Sequence, residues 1–174
     1  MPVRFLTLDQ FSWIPPVLEN KTTFRANAVK KAVETSRRTI LPVLAEDSGL
    51  QVRALGGRPG VRSARFAGPG QNDAANIRKL LRLLSKVPAS KRQARFVTCI
   101  AIAAGGEMIR VFEGSVEGSI SFFPAGRTGF GYDPVFIPRG FKKSFAQLGA
   151  RVKDRLSHRS RAVQKLGRWL KKCL

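Results

Sequence analysis

Acidic side chains are scarce in this 174-residue chain, where eleven Asp and Glu stand against thirty-two Lys and Arg. Histidine and tyrosine occur once each, and cysteine twice, at Cys99 and Cys173. Two cysteines so far apart exclude a metal knuckle, and both are expected to be free thiols. No stretch approaches the ~20 apolar residues that a membrane-spanning helix needs. The opening MPVRFLTLDQ has no apolar run behind a basic segment, as a secretory signal would, so a cytoplasmic protein is expected. A Walker loop, a dinucleotide glycine fingerprint, a zinc ligand set and a nucleophile elbow are all missing, which thins the common catalytic classes.

What is present describes a packed fold. Hydrophobic residues make up 43% and charged residues 25% of the chain, close to globular averages, and the length suits one compact domain over residues 1–174. The formal charge of +21 is typical of nucleic-acid binders. The basic residues are nevertheless scattered along the whole chain and form no arm, tail or block, so any nucleic-acid contact is expected only through non-specific charge.

Residues 3–8, VRFLTL, alternate like a strand, and Trp13-Ile14-Pro15-Pro16 then forces a turn. Thr22 or Thr23 caps a helix carrying Phe24, Ala28, Ala32 and Val33 at helical spacing. A buried strand is predicted over Ile40 to Ala45, ending in Glu46-Asp47-Ser48-Gly49, with a tight bend at Gly56-Gly57-Arg58-Pro59-Gly60. From Asn72 an amphipathic helix presents Ile77, Leu80, Leu81 and Leu84 on one face. Phe96–Ala104 and Met108–Val116 read as a hairpin closed by Gly105-Gly106. A third strand follows over Gly118–Phe123 and a short one over Val135–Ile137, and Ser157 caps a C-terminal helix through Ala162, Val163, Leu166 and Trp169.

Three groups can carry chemistry. Glu46-Asp47, with Glu19 and Asp133 elsewhere, supplies the hard oxygens and the base that a Mg²⁺-assisted hydrolysis needs; the same pair can equally cap a turn. His158 sits in the first turn of a helix, where anions are favoured, but such a histidine also serves as a simple surface or cap residue. Phe130 and Tyr132, held by glycines, offer a stacking face worth ~1–3 kcal/mol to a base, or else belong to the core.

The segments Ala45–Leu50, Leu55–Gly60, Ser63–Gly68, Phe130–Pro134 and Ser157–Arg159, in this order, resemble the inosine triphosphate pyrophosphatase family over nearly the whole chain. The resemblance implies an α/β fold with an elongated mixed sheet, two lobes around a central cleft, and a homodimer. It implies hydrolysis of ITP, dITP or XTP, the stray purine triphosphates, to monophosphate and pyrophosphate. In that family Asp47 activates water and holds Mg²⁺ with Glu19, while Ser48 touches the substrate. Phe130, Gly131, Tyr132 and Asp133 form a base pocket, completed by Lys153, His158 and Arg159. A histidine or arginine donor at the 6-oxo edge favours hypoxanthine and xanthine over adenine. Family members open with a strand and a Thr/Ser-Gly-Asn-x-x-Lys phosphate loop, and the present sequence starts downstream of them, so the domain is expected to be N-terminally incomplete. Two other readings follow, an inactive degenerate family member and a basic RNA-binding protein.

Overall fold

Helices cover both faces of a four-stranded antiparallel sheet in the computed structural model, which describes residues 3–173. The strands, in spatial order, are β1 (Val43–Val52), β2 (Gln93–Ala104), β3 (Glu107–Ile120) and β4 (Phe136–Pro138). Five helices accompany them: α1 (Phe24–Ser36), α2 (Asp73–Leu83), α3 (Phe145–Leu148), α4 (Ala150–Leu156) and α5 (His158–Cys173). The α/β architecture is the one expected. The sheet of the described residues is antiparallel rather than mixed, because each strand pairs only with its neighbours in sequence, running back against them.

The two-residue side-chain period of β2 explains the layers. Cys99, Ala101 and Ala103 face one way and meet Phe24, Ala28 and Ala32 of α1, whose alanines bring helix and sheet close together. Ile100 and Ile102 face the other way and, with Phe112 of β3, meet Ala162 and Leu166 of α5. Because both faces are covered, Thr98 to Ala103 are buried without interruption. Farther along the α5 face, Leu50, Val52 and Phe96 pack against Leu80 and Leu84 at the α2 end of the molecule. Thr23 and Asn72 cap α1 and α2 as expected, their side chains accepting from the amides of Ala26 and Ala75.

Three expectations need correction. Residues 3–8 form no strand: Val3, Phe5, Leu6 and Leu8 are exposed and the segment ends in a 3₁₀ turn at Leu8–Gln10, since alternation alone leaves the backbone groups without a ladder. The strand predicted from Ile40 begins only at Val43, after Pro42, which has no N–H to give, and Ile40 is 100% exposed. It then runs straight through Glu46–Gly49 to Val52, since Ser48 and Gly49 pair with Thr98 and Val97. Finally, Gly118–Ile120 is the end of β3 and not a separate strand, pairing with β2 on one side and β4 on the other.

Candidate active site

The position of β1 at the sheet edge builds the first half of the site. Successive side chains leave a strand on opposite faces, so Asp47 turns toward Lys31 of α1, while Glu46 and Ser48 turn toward Arg159 of α5. At an edge strand both faces open onto the same flank. Glu46, Asp47 and Ser48 therefore line one cavity of about 530 Å³, together with the Pro16–Glu19 segment, Arg65 and Arg159.

Glu19 reaches this cavity because α1 holds its segment in place. Lys30 Nζ donates to the Leu18 carbonyl at 2.9 Å and to Asn20 Oδ1 at 3.0 Å, and Lys21 N–H donates to Asn27 Oδ1 at 2.9 Å. Lys31 Nζ lies 2.6 Å from Glu19 Oε1 and 3.9 Å from Asp47 Oδ1, so one ammonium faces both carboxylates. Arg65 approaches the other Glu19 oxygen at 3.4 Å. Asp47 is buried, and its Oδ2 has no hydrogen-bond partner. Burial pushes its carboxyl above the usual range, a rise that the Asn27 amide and the Lys31 charge limit. A buried carboxylate with a raised pKa and an unpartnered oxygen, on a residue that lines a cleft, has the features of a general base.

Glu46 is a different carboxylate. Burial alone raises its pKa, but hydrogen bonds from Thr98 and Arg159 outweigh that and hold it below the ordinary value. Thr98 Oγ1 donates at 2.7 Å, and Arg159 Nε donates to both Glu46 oxygens, at 2.8 and 3.0 Å. The pair joins β1 to the first turn of α5 across 113 residues of sequence.

A second cavity, of about 480 Å³, lies beyond Arg159, between the Thr128–Phe130 loop and the start of α5. Phe130 is 58% exposed there, with Lys153 Nζ 4.0 Å and the Arg159 guanidinium 5.4 Å from its ring centre. The loop is pinned from two sides. Asp133, buried, accepts the Phe130 N–H at 3.0 Å and pairs with Lys153, while Asp73 of α2 accepts the Gly131 N–H at 2.6 Å. Gly131 adopts φ +60°, a left-handed conformation suited to glycine. His158 lines the cavity but is itself buried, stacked on Phe96 with ring centres 4.9 Å apart. Burial foremost, then the charges of Arg159 and Lys153, lowers its pKa to about 4, so it is a neutral imidazole at physiological pH.

Among the residues singled out from sequence, Glu19, Asp47 and Ser48 thus share the first cavity, Phe130, Lys153 and His158 share the second, and Arg159 lines both. Gly131 and Asp133 stand behind the Phe130 loop as its supports. Tyr132 points into the main core, its hydroxyl donating to the Ser63 carbonyl at 2.9 Å, and it lines neither cavity. Sequence reasoning missed Lys31, Arg65, Thr98 and Asp73. In a chain with thirty-two basic residues Lys31 and Arg65 carry no distinguishing signal, and the Thr98 and Asp73 contacts depend on tertiary pairing.

Comparison with known proteins identifies the family. A model of the Ham1 family matches residues 1–169. A dITP/XTP pyrophosphatase of Geobacillus kaustophilus is 49% identical over 164 residues, covering 94% of this chain and 80% of the relative. One from Opitutus terrae is 47% identical over 171 residues, covering 96% of this chain and 83% of its own. Among solved structures, a HAM1 protein from Coxiella burnetii superposes with a TM-score of 0.92 at 36% identity, covering 99% of this chain and 88% of that one. The Staphylococcus aureus Ham1 protein gives 0.90 at 37% identity, covering 96% and 86%. The family resemblance read from the ordered motifs is borne out, and the chain belongs to the Ham1 family.

Proposed function

We propose that this chain, as one nucleoside triphosphate pyrophosphatase domain, hydrolyses non-standard purine nucleoside triphosphates (ITP, dITP, XTP) to monophosphate and pyrophosphate. The observation that carries the reading is the shared lining: Arg159 belongs both to the cavity of the carboxylates and to the cavity of Phe130. One nucleotide can therefore extend from a base against Phe130 to phosphates beside Asp47. The names of the relatives, dITP/XTP pyrophosphatases, support the same substrate class.

Mg²⁺ fits the phosphate end. It takes one or two protein carboxylates and completes its shell with water and phosphate oxygens, so a three-ligand cluster, which the described residues do not contain, is not required. The bare Oδ2 of Asp47 and the nearby Glu19 carboxylate are the donors that would hold it. When bound, the ion supplies neutralisation of phosphate charge. Asp47 accepts a proton from the attacking water. The bond that breaks is the anhydride between the first and second phosphates, and pyrophosphate leaves. Lys31 and Arg65 put positive charge beside the phosphates, and the net charge of +21 attracts a polyanion over longer range. Ser48 faces the same cavity as a hydroxyl partner.

At the base end Phe130 provides an exposed aromatic face, and Arg159 an obligate hydrogen-bond donor. His158 stays neutral beside them, with its Nδ1 free of any partner. Donors fit a 6-oxo group and reject a 6-amino group. The test is pyrophosphate release from ITP or XTP with Mg²⁺: wild type is expected to turn over and Asp47→Ala to fall to background. Equal rates for the two proteins would end the reading.

We further propose that the enzyme works in the cytoplasm as a homodimer, which light scattering would check. The exposed Phe122 and Phe123 give apolar surface for such contact. No helix among the described residues is long and apolar enough to cross a membrane. The charge favours one competing reading, an RNA-binding protein, whose affinity would fall steeply with salt.

A further inference from the structure

Arginine carries five N–H donors in a planar fork, and a carboxylate partner commonly takes two of them side by side. Arg159 is gripped otherwise. Both oxygens of Glu46 lie on its Nε–H, at 2.8 and 3.0 Å, which leaves the four N–H groups of the terminal nitrogens unused by Glu46. One terminal nitrogen reaches Ser48 Oγ at 3.5 Å. The guanidinium also lies 5.4 Å from the Phe130 ring centre, and its residue lines both cavities.

The carboxylate that holds it is itself braced. Thr98 Oγ1 donates to Glu46 Oε1 at 2.7 Å, and Thr98 is 0% exposed. Thr98 pairs with Ser48 across the β1–β2 ladder, which makes it the diagonal neighbour of Glu46 on the same sheet face. Thr98, Glu46 and Arg159 thus form a chain of contacts from the middle of the sheet to the junction of the two cavities.

We propose that Glu46, braced by Thr98, is a positioning residue that holds Arg159 by its Nε–H with the terminal nitrogens turned to the nucleotide, and that this grip sets the preference for a 6-oxo over a 6-amino purine. The substrate half of the proposal rests on the pyrophosphatase reading; the grip does not. A freely rotating arginine presents its donors to many acceptors. A clamped one holds them in a fixed direction toward the base edge, where hypoxanthine offers an oxygen and adenine an amino group.

Two measurements test this together. In steady-state kinetics with ITP and ATP, Glu46→Gln is expected to raise the KM for ITP about tenfold with kcat nearly unchanged, and to reduce the ITP-over-ATP ratio of kcat/KM about tenfold. Thr98→Val is expected to act in the same direction and less strongly, while Thr98→Ser, which keeps the hydroxyl, behaves as wild type. The double variant Glu46→Gln/Arg159→Ala is expected to match Arg159→Ala alone, because a residue acting through another adds nothing once that other is gone.

The second measurement uses nitrogen-15 NMR of the ligand-free protein. The Arg159 Nε–H is expected to exchange slowly with water in wild type and rapidly in Glu46→Gln. A kcat loss in Glu46→Gln that persists in the Arg159→Ala background would overturn the proposal and give Glu46 a direct part in the chemistry. Identical exchange of the Nε–H in wild type and Glu46→Gln would overturn the grip itself. If wild type releases no pyrophosphate from any purine triphosphate, the functional reading and the specificity half fall together, and the exchange experiment still decides the grip.

Discussion

Replacing His158 by phenylalanine is expected to flatten the acid side of the stability curve. His158 is buried, stacks on Phe96 and has no partner for Nδ1, and its pKa falls from 6.5 to about 4 chiefly through burial. The unfolded chain therefore takes up a proton near pH 6.5 that the folded chain refuses until about pH 4. Between those limits the unfolded state binds more protons, so stability rises with pH and is lost as pH falls. With those two pKa values, lowering the pH from 7 to 5 removes about 2 kcal/mol of folding free energy. For a chain of this length that corresponds to a Tm drop of roughly 4–8 °C. Phenylalanine keeps the stacking and cannot be protonated. The site carboxylates titrate in both proteins, so the difference between the two curves isolates the histidine. Urea melts at pH 5 and pH 7 would measure it, and parallel pH dependence in wild type and His158→Phe would refute the argument.

Other outcomes follow from packing and polar burial. Gly49→Ala is expected to destabilise the protein by about 1–3 kcal/mol or more, because a Cβ there would meet Ser63 Oγ, the Gly60 carbonyl at 2.8 Å and Phe24 Cε1 at 2.9 Å. A thermal melt with an unchanged midpoint would contradict the tight fit of β1 on its flank. Arg92 is 2% exposed and donates to the carbonyls of Leu84, Ile120 and Ser121 at 2.7–2.8 Å, tying the end of α2 to the end of β3. Arg92→Leu strands those acceptors and is expected to cost about 2–5 kcal/mol in denaturant unfolding, and Arg92→Lys, lacking the planar fork, restores only part. Near-wild-type stability of Arg92→Leu would show that water satisfies the carbonyls.

Elements defined by local signals were readable from the sequence. The caps Thr23 and Asn72, the spacing of Ile77, Leu80 and Leu84, and the Gly105-Gly106 turn each act within a few residues of themselves. Strand limits were less so, because they depend on a partner. Glu46–Gly49 looks like a loop in isolation and becomes strand through Thr98 and Val97, while residues 3–8 look like a strand and find no ladder. The site shows the same division. Asp47, Phe130 and His158 stand out by residue type and setting, whereas the hold of Glu46 on the Arg159 Nε–H joins positions 113 apart and is invisible until the chain folds. Tyr132 follows Gly131 as Phe130 follows Gly129; only the tertiary structure sends it into the core, toward the Ser63 carbonyl.

The central claim is that the carboxylate cavity and the aromatic cavity hold one nucleotide between them. A crystal structure of Asp47→Asn with ITP and Mg²⁺ would test it directly. The account predicts a single nucleotide with its base against Phe130, its phosphates beside Glu19 and residue 47, and Arg159 between. Nucleotide bound elsewhere, or confined to one cavity with the other filled only by solvent, would contradict it.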